Sequence, residues 1–385
     1  MARINTLHIE NFRAIGELDY NPHQINLITG QNNTGKSALL DAVYINATGE
    51  VISPSIYSAN ETYNIKNQET QAVINSDINH VTIYKSLEDC RKADPGSYAK
   101  VRGYISEVFS DTIEGDEEYK DQYLAIIFDT TDFVITISDD SFGITPYFPD
   151  GKGELLKKLK KLNQMSGEYA DASGNFRPGT SGGMRLFPPA IPIWGHYMSS
   201  TTFERITLPV NKLSHSDKFQ LERIGDKEIH LLEKFIKEHN LVKNIERLTQ
   251  KNVLYRKDCE IEEIPISAHG DGFVALLTIL HNLLQSENGI LIIEEPENHL
   301  HPRYLSLLIE TLFTYCKQLQ VQVFMATHSY DLIQGALEYP ETEEEKGMLL
   351  VSKMTSDGET IEKFDYTTDE GLKVVNELYL DLRGI

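Results

Sequence analysis

Apolar and polar positions alternate over RINTLHIENF, resume in GELDY after Gly16, and close into a short apolar run, QINLIT, that ends at Gly30. Residues 3–29 are therefore predicted as strands. The period then changes: from Lys36, SALLDAVYINA sets Leu39, Leu40, Val43 and Ala47 at helical spacing, so the order is strand, glycine-bearing loop, helix. Residues 51–75 are polar and rich in Asn, Ser and Thr, which predicts a loop. From His80 to Asp150 the alternation returns in VTIYKSL, YAKVRGYISEVF, YLAIIFD and FVITISD. These are predicted to form an antiparallel sheet, a second wall of the first lobe.

The pattern is different downstream. GELLKKLKKLNQ reads as a short basic amphipathic helix, with Leu155, Leu156, Leu159 and Leu162 facing inward and Lys152, Lys157, Lys158, Lys160 and Lys161 outward. GEYADASGNFRPGTSGG has loop chemistry throughout, AIPIWGHYMSS reads as a strand, and residues 216–250 read as polar helices. From 264 to 334 the order is loop, helix, apolar strand, helix, apolar strand, helix, the alternation of a parallel sheet with packed helices. Residues 338–385 read as an acidic tail, with 13 acidic and 5 basic side chains. The predicted fold class is α/β, with an antiparallel β-rich N-terminal lobe and a helical insertion. The predicted divisions are 1–150, an N-terminal lobe; 151–263, a linker and helical insertion; and 264–385, a C-terminal lobe.

Length and charge narrow the field. A chain of 385 residues holds two or three lobes of ordinary size. With 58 acidic against 36 basic side chains the net charge is −22, so the whole molecule repels nucleic acid and anionic lipid, and any DNA contact needs a local basic patch. Lys157, Lys158, Lys160 and Lys161 are the obvious candidates for such a patch. Cys90, Cys259 and Cys316 are far apart and odd in number, which excludes a disulfide framework and a CxxC zinc site. The apolar runs fall short of the ~20 residues of a spanning helix, and MARINTLHIENF lacks a charged-then-apolar signal pattern. The expected location is cytoplasmic, with no membrane partner.

Three segments carry chemistry. Gly30 to Ser37, GQNNTGKS, matches G-x-x-x-x-G-K-[ST] between an apolar strand and a helix. Glycines at both ends let backbone N–H groups wrap a polyphosphate, aided by the helix N-terminus. Lys36 is expected to neutralise the β- and γ-phosphates and Ser37 to ligate Mg²⁺. Glu294 and Glu295 close the apolar strand ILII, at the sheet edge where ligands bind in open α/β folds. Adjacent strand residues point opposite ways, which suits Glu294 to the metal and Glu295 to polarising an attacking water. His328 ends the strand of VQVFMATHS and is expected at the same edge. His299 and His301 in PENHLHP have no third ligand and are assigned to a structural or interface turn. Ser267 to Gly272 form a second small-residue loop feeding a helix N-terminus, a second anion-binding edge in a chain with one phosphate loop. The residues alone leave open whether this second loop merely caps a core helix.

Together INTLHIENFRAIGEL, LITGQNNTGKSALLDAV, SAHGDGFVALL, ILIIEEPENHLHP and FMATHS resemble the ATPase heads of structural-maintenance-of-chromosomes proteins, recombination-repair ATPases and overcoming-lysogenisation-defect (OLD)-like proteins. The resemblance covers roughly residues 1–50 and 264–335. It implies an ABC-type P-loop head in which two copies sandwich two ATP molecules with Mg²⁺. On that analogy Gly30, Asn32, Asn33, Thr34, Gly35, Lys36, Ser37 and Ala38 form the Walker A cradle, and Glu294 and Glu295 the Walker B acids. Ser267, Gly270 and Gly272 belong to the signature loop that meets the other copy's nucleotide, and His328 is the switch histidine. Asn298 falls in the turn lining the dimer interface, and Arg13 lies near the nucleotide. Glu294 stands where many relatives have Asp, and the signature loop reads HGDG rather than SGGQ. Long coiled-coil arms and a Toprim nuclease domain are missing.

The expected function is that of an ATP hydrolase, with Glu295, His328 and Lys36 at the reaction centre. It assembles through its ATP faces as a homodimer or higher oligomer and regulates a separate protein effector, with antiviral defence as the context the resemblance implies. Two alternatives stand beside it: a DNA-binding recombination or repair ATPase, and a nucleotide-dependent scaffold with little turnover.

Overall fold

The structure, a computed structural model, describes residues 3–48, 71–78, 80–84, 87–96, 99, 123–128, 133–138, 168–170, 176–178, 210–213, 225–257, 260–358, 360–376 and 382–383. The chain begins with strands β1 (Leu7–Phe12), β2 (Ile15–Tyr20) and β3 (Ile25–Gly30) and helix α1 (Lys36–Thr48), followed by β4 (Gln71–Ser76), β5 (His80–Tyr84) and α2 (Leu87–Ala93). Next come β6 (Tyr123–Phe128), β7 (Phe133–Ser138), β8 (Glu168–Ala170), β9 (Phe176–Pro178), β10 (Val210–Leu213) and α3 (Asp226–Glu238). Strands β11 (Ile245–Leu248), β12 (Asn252–Lys257) and β13 (Glu260–Pro265) lead to α4 (Asp271–Gln285), β14 (Ile290–Glu294), α5 (Pro302–Leu319), β15 (Gln322–Ala326) and α6 (Tyr330–Glu338). The remainder is α7 (Glu343–Lys346), β16 (Leu349–Ser356), β17 (Ile361–Tyr366) and α8 (Thr368–Asn376).

Two compact units divide these elements. The first comprises Met1–Leu7, Tyr20–Thr48 and Thr207–Ile385. It holds a six-stranded sheet of order β10-β14-β15-β3-β16-β17, parallel throughout except for the antiparallel β16–β17 edge. Strand β3 is buried along its whole length, as expected of a parallel strand covered on both faces. Leu27, Leu291, Ile293, Val323 and Met325 pack with α4, α5 and α6 through Phe273, Leu277, Leu308, Leu312 and Leu332. The intervening residues Ile28, Ile292 and Phe324 are buried on the other face, since side chains alternate along a strand. Two polar residues inside the sheet pin its register. Asn26 donates from Nδ2 to the Val323 and His23 carbonyls, each at 2.9 Å. Gln322 donates from Nε2 to the Ile4 and His23 carbonyls and accepts from the Ile4 N–H at 3.1 Å.

The second unit comprises His8–Asp19 and Gly49–Ile206. Its six-stranded sheet has the order β2-β1-β4-β5-β6-β7, and the pairs from β4 to β7 run antiparallel. Ala72, Ile74, Val81 and Ile83 are buried at every second position, the period expected of half-buried strands.

The α/β class and the antiparallel N-terminal sheet agree with the sequence reading, and five segments depart from it. Residues 71–75 belong to strand β4 rather than to a loop, because Ala72 and Ile74 supply an apolar face that the polar neighbours mask. Leu87, read as the end of a strand, starts helix α2. The segment read as loop after residue 166 contains the antiparallel pair β8–β9. Within the described residues 225–250 the helical reading holds for α3 and not beyond it: Asn240 (φ 48°) and Asn244 (φ 58°) take left-handed backbone, which ends a right-handed helix. Beyond them β11, β12 and β13 form an antiparallel meander, so the insertion is not purely helical. Finally, the acidic tail is part of the core. Strand β16 pairs with β3 and buries Leu349, Leu350, Val351 and Met354. Glu343, Glu344 and Glu345 crowd the exposed α7 turn instead. The readings for 98, 100–109, 152–162 and 190–200 lie outside the described residues, and residue 99, within a stretch read as strand, is helical. Among the described residues no helix is long and apolar enough to cross a membrane.

Candidate functional site

Strands β3, β14 and β15 end side by side in the first unit, and the candidate residues gather at those ends. Strand β3 delivers the chain to Gly30, whose φ of 143° is open to glycine alone. A Cβ there would sit 2.2 Å from the Met354 carbonyl oxygen of β16 and 2.8 Å from Thr34 Oγ1. Asn33 (φ 63°) and Gly35 (φ 89°) continue the left-handed backbone, the conformation that turns successive N–H groups into a concave anion nest. Thr34 ties the loop by donating to the Gln31 carbonyl at 2.8 Å. Lys36 is buried, and its Nζ donates to the Gly30 and Gln31 carbonyls at 3.0 and 2.6 Å. Burial lowers the Lys36 pKa from its ordinary value, while Glu295 and Glu297 oppose that shift. Asn32 and Ser37 are exposed and Ala38 is buried under the loop.

The acid edge is built by a change of backbone direction. Glu294 is the last residue of β14, in register with Ala326 of β15. Glu295 then turns left-handed (φ 48°, ψ 57°), and the 3-10 turn Pro296–His299 follows at once. The Glu295 N–H still donates to the Ala326 carbonyl at 2.9 Å, so the turn stays anchored to β15 while its side chain leaves the strand. Glu295 Oε2 accepts from Asn298 Nδ2 at 2.8 Å, and Oε1 lies 3.8 Å from His328 Nε2. Burial lowers the His328 pKa, and the Lys36 charge lowers it further, against Glu295 and Glu297. Burial and the Lys36 ammonium thus both disfavour the protonated imidazole, which has a carboxylate on one side.

Glu297 was not singled out by the sequence. Its Oε1 accepts from the His328 N–H at 2.6 Å and from the Thr327 hydroxyl at 2.9 Å. A third acid two residues after a pair was the available signal, and it was hidden because strand alternation gives no guide through a 3-10 turn. His301 is the N-cap of α5, its Nδ1 accepting from the Arg303 N–H at 3.4 Å, in keeping with a structural role.

The second loop has a different character. Ser267, Ala268, Gly270 and Asp271 are exposed, and Gly272 is half-buried. Gly270 caps α4, which the buried face of Phe273, Leu276, Leu277 and Leu280 anchors in the core. His269 between them is braced: Nδ1 donates to the Pro265 carbonyl at 3.1 Å, which leaves Nε2 to accept from the Tyr255 hydroxyl of β12. The two rings stack at 5.9 Å. Arg13 lies at the β1–β2 turn with φ 54°, in the second unit.

These groups fit a magnesium-bound nucleoside triphosphate. The loop keeps a close-packed glycine and a turned-in lysine, as a phosphate cradle requires. Among the described residues no cluster of three or more His, Cys, Asp or Glu could hold a metal alone. Ser37 and Glu294, the two donors expected from the sequence, would suit Mg²⁺, which keeps waters and takes its remaining ligands from phosphate.

Comparisons with known proteins bear on the family of the chain. Over 115 residues, 30% of this chain, the sequence is 33% identical to an uncharacterised protein of Methanocaldococcus jannaschii, covering 99% of that protein. It is 29% identical over 115 residues to the DNA replication and repair protein RecF of Shewanella piezotolerans, so the match spans 28% of RecF. Among solved structures, the SMC head domain from Thermotoga maritima aligns over 95% of this chain and 99% of its own, with 11% identity and a TM-score of 0.44. The Pyrococcus furiosus Smc head with an extended coiled coil, bound to the C-terminal domain of ScpA, aligns over 99% and 100%, with 9% identity and a TM-score of 0.43. The profile of one family runs through residues 25–334, from the phosphate strand to the helix after His328. The chain thus belongs to the family described as "AAA domain, putative AbiEii toxin, Type IV TA system", and is a P-loop ATPase-family protein of α/β fold.

Proposed function

We infer that the protein binds ATP with Mg²⁺ in the Gly30–Ser37 cradle and hydrolyses it, and that a second copy's Ser267–Gly272 turn completes each site. The carrying observation is the Glu295–His328 pair. A carboxylate held at one oxygen by Asn298 presents the other towards the His328 imidazole, in the field of the phosphate-loop lysine. A water between such groups can be oriented and can give its proton to Glu295 as it attacks a phosphoryl group. Lys36, now donating to loop carbonyls, can turn the same N–H groups onto phosphate oxygens and balance the charge that gathers there. Ser37 and Glu294 would hold the magnesium, which neutralises phosphate charge when bound. Arg13 is assigned near the nucleotide by resemblance alone.

The exposed signature turn supports assembly through the ATP faces, as a dimer or larger ring of this chain. It carries a helix N-terminus into solvent, and its bracing by Tyr255 holds it in shape without a partner. The assembled form is proposed to regulate a separate protein effector. OLD-like heads are the proposed subgroup, a defence or toxin–antitoxin setting in the cytoplasm the proposed context. The competing DNA-repair reading draws on the RecF similarity and meets a net charge of −22. The third reading is a scaffold that binds ATP without turnover.

The test measures phosphate release and mass in solution, with and without ATP and Mg²⁺, for the natural protein and Glu295→Gln. Hydrolysis by the natural protein, and an ATP-trapped assembly without hydrolysis in the variant, are expected. Full-speed turnover by a dilute monomer overturns the shared-site reading, and absence of turnover in the natural protein leaves the scaffold. Duplex binding that falls steeply with salt favours the repair ATPase.

A further inference from the structure

Of three carboxylates around the acid turn, Glu294 and Glu295 have roles in the proposed reaction and Glu297 has none. Its position is nevertheless the most constrained. It stands on the 3-10 turn Pro296–His299, yet its Oε1 reaches across to β15 and takes both the Thr327 hydroxyl and the His328 N–H. The Thr327 hydroxyl in turn accepts the Ser329 N–H at 3.0 Å, so three consecutive residues at the end of β15 hang on one carboxylate oxygen. Its other oxygen, Oε2, is buried, and among the described residues no group donates to it. A half-satisfied buried carboxylate costs stability, and a neutral amide could take the same two donors at less cost.

We propose that Glu297 is a positioning residue that fixes His328 opposite Glu295 through a charged bond to the His328 backbone. The turn after the acid strand and the end of the switch strand thereby move as one piece. The inference rests on reading the site as an ATPase. A charge-assisted N–H bond is shorter and roughly twice as strong as a neutral one, and it is the His328 backbone, not the ring, that Glu297 grips. The ring therefore stays free to face Glu295 and the nucleotide. The same negative charge lies close enough to Lys36 and His328 to act on both. Replacing it would alter the reaction centre without touching substrate.

Glu297→Gln separates this role from a merely structural one, because the amide oxygen can still accept both donors while the charge is gone. Three quantities are to be measured: thermal midpoint, affinity for a fluorescent ATP analogue, and kcat and KM for phosphate release. The expected result is a midpoint and affinity near those of the natural protein, with kcat down by about tenfold and KM little changed. Thr327→Val, which removes one donor and keeps the charge, should lose about two- to threefold. A Glu297→Gln protein with natural kcat overturns the proposal. The His328 amide resonance gives a readout independent of turnover. A downfield ¹H shift in the natural protein that moves upfield in Glu297→Gln is expected, and an unmoved resonance overturns the proposal even if the protein proves to be a scaffold. Should the natural protein show no hydrolysis while that resonance moves, the ATPase reading falls and the positioning role stands. If Glu297→Gln fails to fold, Thr327→Val with a natural kcat and an unmoved His328 amide overturns it.

Discussion

The acid edge and the signature turn are both strand-to-helix junctions of the first unit, and they are finished in opposite ways. At the acid edge the groups are tied down: Asn298 holds the Glu295 carboxylate, Glu297 takes the Thr327 hydroxyl and the His328 N–H, and loop carbonyls accept from Lys36. The signature turn is braced through His269, by the Tyr255 hydroxyl and the Pro265 carbonyl, and leaves Ser267, Gly270 and Asp271 in solvent. On the proposed reading, the groups that must not move during chemistry are preorganised, and the turn offered to a second copy is left open. Preorganised dipoles accelerate a reaction because they need no reorganisation when charge develops.

The harshest way to break the contrast is Gly30→Ala. The added methyl meets the Met354 carbonyl at 2.2 Å and the backbone is strained for any L side chain, a cost of about 1–3 kcal/mol before the clash is counted. Loss of ATP binding with a lowered melting temperature is expected, and titration calorimetry and a thermal scan would show it. Next is Glu295→Gln. Turnover should fall by roughly 10²–10⁴ with nucleotide affinity retained, so a parallel loss of affinity would mean that Glu295 holds ligand rather than water.

The open half is tested by mixing. Lys36→Ala and Gly270→Asp should each lose most activity alone. If each site takes its loop from one copy and its turn from the other, the equal mixture should regain about a quarter of the natural rate through mixed dimers. No recovery would close the signature turn as a shared element. Tyr255→Phe sharpens the same point: removing the brace should slow turnover by a few-fold and leave nucleotide affinity unchanged.

The smallest effect concerns pH and lies away from both regions. His281 on α4 is half-buried, its shielded Nδ1 has no partner among the described residues, and burial lowers its pKa against the pull of Glu228. The unfolded chain takes up this proton near 6.5, the fold only at lower pH. Between those points the unfolded state binds more protons, so stability is intact above 6.5 and declines as pH falls through the folded value. The urea midpoint of the natural protein should drop slightly more between pH 7.5 and 5.5 than that of His281→Asn.

How much of this was legible in the sequence follows from what each residue depends on. The phosphate loop, acid pair and switch histidine were readable because each sits where an unbroken period stops, at Gly30, Ile293 and Ala326. Periodicity carries no information past such a stop. The bond from Glu297 to the end of β15 and the amide of Asn298 on Glu295 therefore emerged only from the structure. The meander β11–β13 was missed for a different reason: Asn240 and Asn244 end the helix through left-handed backbone, a choice Asn permits but does not announce. In the tail, the abundant exposed acids mask LLVSKMTS, a strand whose first four residues are buried like those of β3 and whose far end opens to solvent.

That last strand has a consequence for biosynthesis. Strand β3 is hydrogen-bonded between β15 and β16, Thr29 donates to the Leu382 carbonyl at 3.2 Å, and the Met354 carbonyl closes over Gly30. The loop at Gly30 is therefore synthesised long before β16, the strand whose Met354 carbonyl closes over it. Until then the loop lacks that cover, and a message cut short before residue 349 would yield a product without it.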